Sequence, residues 1–140
     1  MGTRMKKVFI CSPLRPTRES KRREQEMENN RKVAQMACRY AVETGCRPYA
    51  PHLYFPTFLS DENREEREYG MLLGLGWLAE CDELWVIGRR VSEGMKREIK
   101  AASTWGIRIK RLIPPRTPEE RLLDAILEPD VKYVEMKLEN

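Results

Sequence analysis

Residues 6–12 read KKVFICS, and this stretch decides the fold class. Its apolar positions run continuously from Val8 to Cys11 instead of alternating with polar ones, and Pro13 follows shortly after. A continuous run of β-branched and aromatic residues is typical of a strand that is buried on both faces. Such strands occur in parallel sheets covered by helices on both sides, so the stretch predicts a central strand of an α/β domain.

The rest of the chain alternates between helical and strand patterns, as a parallel sheet requires. The predicted segments are a helix at 22–44, a strand at 47–50, a helix at 61–80, a strand at 83–87, a helix at 93–104, a strand at 107–113, a helix at 118–127 and a weaker edge strand at 131–138. Residues 52–60, HLYFPTFLS, are interrupted by Pro56 and are predicted to form a loop. The pattern predicts right-handed crossovers within a single three-layer domain over residues 1–140.

Composition excludes several classes of protein. The chain is 41% hydrophobic and 34% charged, which is typical of a folded domain and not of a disordered segment. No stretch approaches the roughly 18 apolar residues of a membrane span, and the N-terminus lacks the apolar run of a signal peptide. We therefore expect a cytoplasmic protein without a membrane partner. Because the four cysteines have no C-x-x-C spacing and His52 is the single histidine, we expect reduced thiols, no metal and no cofactor.

The net charge of +4 is unevenly distributed along the chain. Residues 1–40 carry +7, residues 41–88 carry −6 and residues 89–140 carry +3. Glutamates are interleaved among the basic residues of 15–39, as is typical of a solvated helix face. Nucleic acid is therefore an unlikely partner, and a nucleic-acid-binding module is the least favoured of three functional hypotheses.

The loop after the first strand is a candidate anion site, because parallel α/β sheets bind ligands outside the carboxyl ends of their strands. The loop, SPLRPTR at 12–18, supplies two hydroxyls and two guanidinium groups just before a helix, which suits a phosphate or a carboxylate. It has neither the G-x-G-x-x-G nor the G-x-x-x-x-G-K-[ST] spacing of nucleotide-binding loops. The residues alone favour solvated surface charges for Arg15 and Arg18, with the anion site as the alternative.

The predicted helix at 93–104 contains one glutamate whose surroundings differ from those of its neighbours. The positions three and four residues from Glu98 are Gly94, Met95, Ala101 and Ala102, so its helix face carries small and apolar side chains and no cation. The carboxylate is either exposed, like most helix glutamates, or held in a partly desolvated site. Desolvation would raise its pKa and leave its oxygens free to attack an electrophile such as the anomeric carbon of a sugar.

Other conspicuous residues have a structural interpretation. His52 either binds a ligand or is a hydrogen-bonded structural residue. Asp82 and Glu83 are expected to end the preceding helix or to face solvent. Tryptophans are expected in the core or in an interface, at positions 77, 85 and 105. Glycines within the helix at 61–80 indicate close packing or a local break, at positions 70, 74 and 76.

Three motifs together resemble the nucleoside 2-deoxyribosyltransferase-like superfamily. They are VFICSPLRPTRE at 8–19, AECDELWV at 79–86 and VSEGMKREIKAA at 91–102. The APHLYFP segment at 50–56 is similar to small bacterial and phage members, whose characterised relatives are deoxyribosyltransferases and 2′-deoxynucleoside 5′-phosphate N-hydrolases. The resemblance implies a flavodoxin-like, doubly wound parallel sheet of about five strands in the order 2-1-3-4-5. Its core would span about residues 6–113, with a C-terminal helix and tail at 114–140.

The superfamily cleaves or exchanges an N-glycosidic bond through a glutamate in an S/D-x-G-x-x-x-E motif, which Ser92, Gly94 and Glu98 match. The resemblance implies that Glu98 is the nucleophile, that Gly94 lets the backbone approach the ligand, and that Ser92 and the first loop hold a 5′-phosphate. The implied ligand is a small molecule, either a nucleoside 5′-monophosphate or another phosphorylated ribosyl compound. The candidate ligand-binding residues are Ser12, Arg15, Arg18, His52, Tyr54, Gly88, Ser92, Gly94 and Met95.

One position departs from the superfamily pattern. Relatives carry a catalytic aspartate about two helical turns before the position of Asp82, and Gly74 is nearest to that position here. Protonation of the leaving group would then need another group such as His52, Asp61 or Glu68. The alternative is a catalytically inactive module of the same fold that binds nucleotides without turning them over. The resemblance also implies a homodimer or a larger homo-oligomer.

Overall fold

The computed structural model describes residues 4–16 and 21–139. These residues form a five-stranded, all-parallel sheet with strand order β2-β1-β3-β4-β5. The strands are β1 (Lys6–Cys11), β2 (Cys46–Tyr49), β3 (Glu83–Ile87), β4 (Arg108–Ile113) and β5 (Tyr133–Glu135). The helices are α1 (Arg23–Glu43), α2 (Pro51–Tyr54), α3 (Arg64–Ala79), α4 (Glu93–Thr104) and α5 (Pro118–Leu127). The predicted fold class and strand order are confirmed.

β1 lies between β2 and β3 and is buried on both faces. Val8 and Ile10 pack against α1, whereas Phe9 and Cys11 pack against α3 and α4. The residues they meet are Ala37 and Ala41 of α1, Leu78 of α3, and Met95 and Ala102 of α4. The continuous apolar run in the sequence is thus explained by two helical layers that each take alternate side chains of β1.

The helix and strand boundaries follow local signals. β3, α4 and α5 begin and end at the predicted residues, and Gly45 ends α1 with a φ of +82°, a conformation that favours glycine. α3 begins three residues later than predicted because the side chain of Asn63 accepts a hydrogen bond from the Glu66 N–H and caps the helix there. The predicted edge strand is reduced to β5. In the described part of the chain, no helix is both long and apolar enough to cross a membrane.

Residues 52–60 were predicted to form a loop, and this prediction is wrong for most of the segment. Pro51 begins α2, and Pro56 lies in the 3-10 turn Phe55–Thr57 that follows it directly. Proline is tolerated in the first turn of a helix, so each proline here starts a helical turn instead of breaking one. Phe55 is buried against Trp77 of α3, with ring centroids 4.8 Å apart. The segment is therefore fixed against the domain.

α3 runs unbroken through its three glycines. A Cβ atom on Gly74 would lie 3.6 Å from the Cβ of Pro51, which is an ordinary van der Waals contact, so the position beside α2 does not itself require glycine. Trp85 is in the core, as expected. Trp105 is not in the core, since it is 50% exposed where α4 ends, and its place in an interface stays a prediction.

Glu83, expected to end a helix or to face solvent, is instead buried at the start of β3 and only 3% exposed. Its carboxylate accepts hydrogen bonds from Lys6 Nζ at 3.0 Å and from Trp85 Nε1 at 2.9 Å, and it lies 3.3 Å from Lys110 Nζ. Burial raises the pKa of Glu83, but these hydrogen bonds outweigh it and hold the pKa below its usual value. The carboxylate therefore joins three neighbouring strands at the edge of the sheet opposite the carboxyl ends.

We expect Glu83→Gln to lower the free energy of unfolding by roughly 2 kcal/mol at pH 7, because two lysines lose their counter-ion while the size of the side chain is kept. Since the folded pKa of Glu83 is lowered, its stabilisation is present above the pKa of the unfolded chain and is lost as the pH falls below it. Urea unfolding of both proteins at pH 7 and at about pH 3.5 tests this. An equal difference at both pH values would contradict the role of the charge.

Candidate active site

A cleft of about 770 Å³ opens at the carboxyl ends of β1 and β3. β1 leads to α1 on one face of the sheet and β3 leads to α4 on the other, so the chain diverges here. Open parallel sheets bind their ligands at such a switch point. One wall consists of the loop after β1 and the start of α4, and the other consists of α2, the turn after it and the first half of α3. The volume suits a small-molecule ligand.

Glu98, on the second turn of α4, lines this cleft. The residue is 5% exposed, and its Oε1 atom has no hydrogen-bond partner among the described residues. Burial raises the pKa of Glu98 to about 7, against the opposing effect of a hydrogen bond with the Cys11 thiol. Of the two environments that the sequence left open for this carboxylate, the structure has the desolvated one. A buried carboxylate with one oxygen free is poised to act on a ligand in the cleft.

The start of α4 has features that favour the binding of an anion. Ser92 caps the helix, and its Oγ accepts a hydrogen bond from the Met95 N–H at 3.3 Å. Gly94 lines the cleft, and a Cβ atom on it would lie in ordinary van der Waals contact, 3.7 Å from the Met71 Cε of α3. The unpaired N–H groups of the first turn and the helix dipole favour negative charge at this point.

Ser12 and His52 meet at the end of β1. Ser12 is 1% exposed and its Oγ has no partner in the described part of the chain. The ring of His52 hydrogen-bonds to the backbone of Ser12, while its Nδ1 is buried without a partner there. Burial lowers the pKa of His52 to about 4, by more than the hydrogen bond to Ser12 raises it. The ring is therefore neutral at pH 7.

Arginines surround the mouth of the cleft, and most of them are held by carboxylates. The ion pairs are Arg15 with Asp61 at 3.0 Å, Arg97 with Glu68 at 3.5 Å and Arg90 with Glu26 at 3.9 Å. Arg67 of α3 also lines the cleft, and its guanidinium has no ion-pair partner within residues 4–16 and 21–139. A phosphate entering the cleft would meet Arg67 without competition, whereas it would compete with carboxylates for the three paired arginines.

The candidate residues divide into two groups. The cleft is lined by Arg15, His52, Ser92, Gly94 and Glu98, with Ser12 buried beside His52. Three others do not line the cleft. Tyr54 is 52% exposed and stacked on Trp77, and Gly88 follows β3 with a φ of +88°. Met95 is buried on the face of α4 that packs against β1. Arg18 lies outside the described residues. No described set of three or more His, Cys, Asp or Glu side chains is placed to hold a metal ion.

Phe55 and Arg67 are two of the cleft residues that the sequence did not identify. Phe55 takes the place by the cleft that was expected for Tyr54, because the helical turn directs Phe55 inward. Predicting a helix at 51–54 in place of a loop would have identified it. Arg67 lies in the charged run DENREERE, which is typical of a solvated helix face and gives no sign that one of its cations faces a ligand site.

A family model described as a domain of unknown function (DUF7768) matches residues 6–112. The chain belongs to this family. The match covers the sheet from β1 into β4 together with α1 to α4, and so includes every described wall of the cleft. α5 and β5 lie beyond it. No curated protein sequence matches the chain.

Solved structures share the fold at low sequence identity. A 2-deoxyribosyltransferase from Bacillus psychrosaccharolyticus matches with a TM-score of 0.57 at 15% identity, over 92% of this chain and 85% of that one. A CMP N-glycosidase from Clostridium botulinum matches with a TM-score of 0.52 at 19% identity, over 95% and 91%. A conserved protein from Enterococcus faecalis V583 matches with a TM-score of 0.52 at 18% identity, over 91% and 77%. The flavodoxin-like deoxyribosyltransferase fold implied by the sequence motifs is confirmed.

The buried carboxyl of Glu98 predicts a pH-dependent cost to stability. Its folded pKa of about 7 is above the ordinary value of 4.5, so the folded protein keeps this proton to higher pH than the unfolded chain does. Stability therefore falls as the pH rises from about 4.5 to 7, by up to roughly 3 kcal/mol. Glu98→Gln cannot ionise, so we expect it to gain stability relative to the wild type between pH 4 and pH 8.

Urea unfolding of the wild type and Glu98→Gln at about pH 4, 6 and 8 measures this change. Glu80→Gln is the matched control, since Glu80 is exposed at the end of α3 and away from the cleft. A difference between wild type and Glu98→Gln that stays constant from pH 4 to pH 8 would rule out a raised pKa for Glu98.

Proposed function

We propose that the protein cleaves or exchanges the N-glycosidic bond of a nucleoside 5′-monophosphate or a related phosphorylated ribosyl compound, with Glu98 as the nucleophile. One observation carries the proposal: Glu98 is buried in the cleft with Oε1 free of hydrogen bonds. It is supported by the S-x-G-x-x-x-E spacing of Ser92, Gly94 and Glu98, and by the fold shared with a 2-deoxyribosyltransferase and a CMP N-glycosidase.

The chemistry proceeds in two displacements. In its ionised form, Glu98 Oε1 attacks the anomeric carbon as the bond to the base breaks, and the electron pair of that bond leaves with the base nitrogen, which takes up a proton. This gives a glycosyl ester of Glu98. Water then attacks the anomeric carbon and loses a proton, which releases the phosphorylated sugar and regenerates the carboxylate. In a transferase, a second base takes the place of water.

The phosphate is proposed to bind at the start of α4. Ser92 and the N–H groups of the first helical turn face the cleft, and Arg15 lies on the wall formed by the loop after β1. A phosphate would take hydrogen bonds from these groups and gain from the helix dipole. Because Ser92 Oγ already accepts the Met95 N–H as a helix cap, its own proton is free to be donated to a phosphate oxygen.

The proton for the leaving base must come from a group other than His52. The ring of His52 is neutral at pH 7 because burial lowers its pKa to about 4. Gly74 packs against Pro51 and supplies no acid. Asp61 and Glu68 both line the cleft as carboxylates paired with arginines, and we propose that one of them orients a water molecule that gives its proton to the leaving base, while the hydroxide so formed serves as the nucleophile of the second displacement.

A nucleotide-binding module without turnover is the second candidate. Gly74 favours it, because the resemblance places a catalytic aspartate at this position and the structure has a glycine against Pro51. The two candidates share the ligand and differ in whether it is recovered intact. For either one, the resemblance implies a homo-oligomer, and the exposed Tyr69, Leu72 and Leu73 of α3 offer apolar area for such a contact.

Release of free base from the common ribo- and deoxyribonucleoside 5′-monophosphates, followed by chromatography, tests the first candidate. We expect Glu98→Ala to lower kcat/KM at least 10³-fold, because the bond-forming group is lost, and the exposed-surface control Glu80→Gln to leave it unchanged. In the wild type, kcat/KM should rise with pH through about 7, since only the ionised Glu98 attacks. Calorimetric binding with the ligand recovered intact would favour the second candidate, and neither binding nor turnover would exclude both.

Substitutions of Ser92 test the phosphate site separately from the stability of the helix. Ser92→Asp keeps an oxygen that caps α4 but adds a negative charge, whereas Ser92→Ala removes the cap and costs about 1 kcal/mol of stability. We expect Ser92→Asp to weaken binding of a nucleoside 5′-monophosphate at least tenfold while binding of the matching nucleoside changes little. Calorimetry with both ligands measures this, and equal loss for both would place the phosphate elsewhere.

A further inference from the structure

Unpaired polar atoms are concentrated beside Glu98. Within the described residues, five buried side-chain nitrogen or oxygen atoms lack a hydrogen-bond partner, and three of them are Ser12 Oγ, His52 Nδ1 and Glu98 Oε1. The other two belong to arginines whose guanidinium groups lie against the Tyr133 ring. Buried polar groups are nearly always hydrogen-bonded, so three without partners at one place indicate a missing ligand or water.

Two contacts tie the three residues together. The ring of His52 bonds to the backbone of Ser12. The thiol of Cys11, the residue before Ser12, donates to the Met95 carbonyl oxygen at 3.9 Å and lies beside the carboxyl of Glu98. Ser12 therefore adjoins both residues at the end of β1, and His52 and Glu98 line the cleft.

The hydrogen-bonding capacity of this site selects the kind of group that fits it. A neutral imidazole has one donor and one acceptor nitrogen, so the unpaired Nδ1 of His52 either donates or accepts one hydrogen bond. Ionised Glu98 is an acceptor, and the hydroxyl of Ser12 both donates and accepts. A ligand hydroxyl matches this set, because it donates one hydrogen bond to an acceptor and accepts one from Ser12. A methylene group would leave all three atoms unpaired.

The stereochemistry of the proposed reaction identifies the hydroxyl. A nucleophile that displaces the base must approach the anomeric carbon from the face opposite the base. In a ribonucleotide, the 2′-hydroxyl is on that face and on the adjacent carbon, so it lies next to the attacking oxygen. In a 2′-deoxyribonucleotide it is absent, and in an arabinonucleotide it points to the side of the base.

We propose that Ser12, His52 and Glu98 form a subsite for the 2′-hydroxyl, so that the protein prefers ribonucleotides to 2′-deoxyribonucleotides. This inference rests on the proposed function. It assigns Ser12 to the sugar, whereas the resemblance in the sequence implied that Ser12 binds the phosphate. A site built to hydrogen-bond a hydroxyl rejects the analogue that lacks it, because its buried polar groups then stay unpaired. We expect a preference of at least tenfold in Kd.

Calorimetric titration with the 5′-monophosphates of adenosine, guanosine, cytidine and uridine, and with their 2′-deoxy and arabino forms, tests the subsite. Binding is compared because a 2′-hydroxyl also changes the reactivity of the anomeric carbon. If a ligand is cleaved, every titration uses Glu98→Gln, which keeps an oxygen acceptor but cannot attack. For the base that binds most tightly, the ribo form should bind at least tenfold more tightly than both the deoxy and the arabino forms.

Two variants assign the preference to the subsite. Ser12→Ala removes the hydroxyl, and His52→Gln keeps a polar side chain with an N–H group while removing the ring nitrogen Nδ1. Each should reduce the ribo-to-deoxy ratio to about threefold or less, mainly by weakening the ribo form. Ser103→Ala, at an exposed position near the end of α4, is the matched control and should keep the full ratio.

The outcomes separate this inference from the function it rests on. Equal affinity for ribo and deoxy forms would overturn the subsite and leave the proposed function standing. A ribo preference that survives in both folded variants would overturn the assignment to Ser12 and His52. If no nucleotide binds, the proposed function and the subsite fall together. Thermal unfolding shows whether each variant is folded. If Ser12→Ala does not fold, the ribo-to-deoxy ratio of His52→Gln tests the assignment by itself.

Discussion

The burial of β1 on both faces is the constraint on which the rest of the structure depends. Four consecutive apolar side chains from Val8 to Cys11 must leave water, and one helical layer covers only every second one of them. Two layers are therefore required, with α1 on one face and α3 and α4 on the other. The chain then diverges at the end of β1, and the cleft opens at that point.

Within residues 4–16 and 21–139, two glutamates are buried, and their surroundings differ. Glu83 lies among Lys6, Lys110 and Trp85, so its charge is compensated and it joins three strands. Glu98 has no cation in hydrogen-bond contact, and burial raises its pKa to about 7. A stability-optimised protein would replace such a group with an apolar residue. The loss of stability from burying Glu98 is explained if its free oxygen acts on a ligand, since groups with perturbed pKa values cluster at functional sites.

Most of the fold could be predicted from the sequence because its signals are local. The apolar run of β1, the Ser92 cap of α4 and the proline that begins α5 each fix an element boundary by themselves. The environment of Glu83 could not be predicted, because its partners come from neighbouring strands that lie far away in the sequence. The segment at 52–60 was misjudged because proline both breaks and begins helices, and its neighbours decide which.

The candidate site was less predictable than the fold for a related reason. The spacing of Ser92, Gly94 and Glu98 identified Glu98 as the candidate nucleophile through the resemblance, yet the residues alone left its burial open, since burial depends on how α4 packs against β1. Arg67 gave no signal because exposed and cleft-facing charges look alike in a charged helix. Tyr54 and Phe55 are adjacent, and only the helical turn decides which of them lies at the cleft.

In the proposed reaction, the lack of an aspartate at position 74 matters less than the loss of Glu98 would. The proposed nucleophile must lie within bonding reach of one carbon atom, and the packing of α4 against β1 fixes the position of Glu98. A proton donor can act through an intervening water molecule, so its position along the cleft is less restricted. Asp61 and Glu68 both line the cleft. A glycine at position 74 is therefore compatible with the role proposed for Glu98.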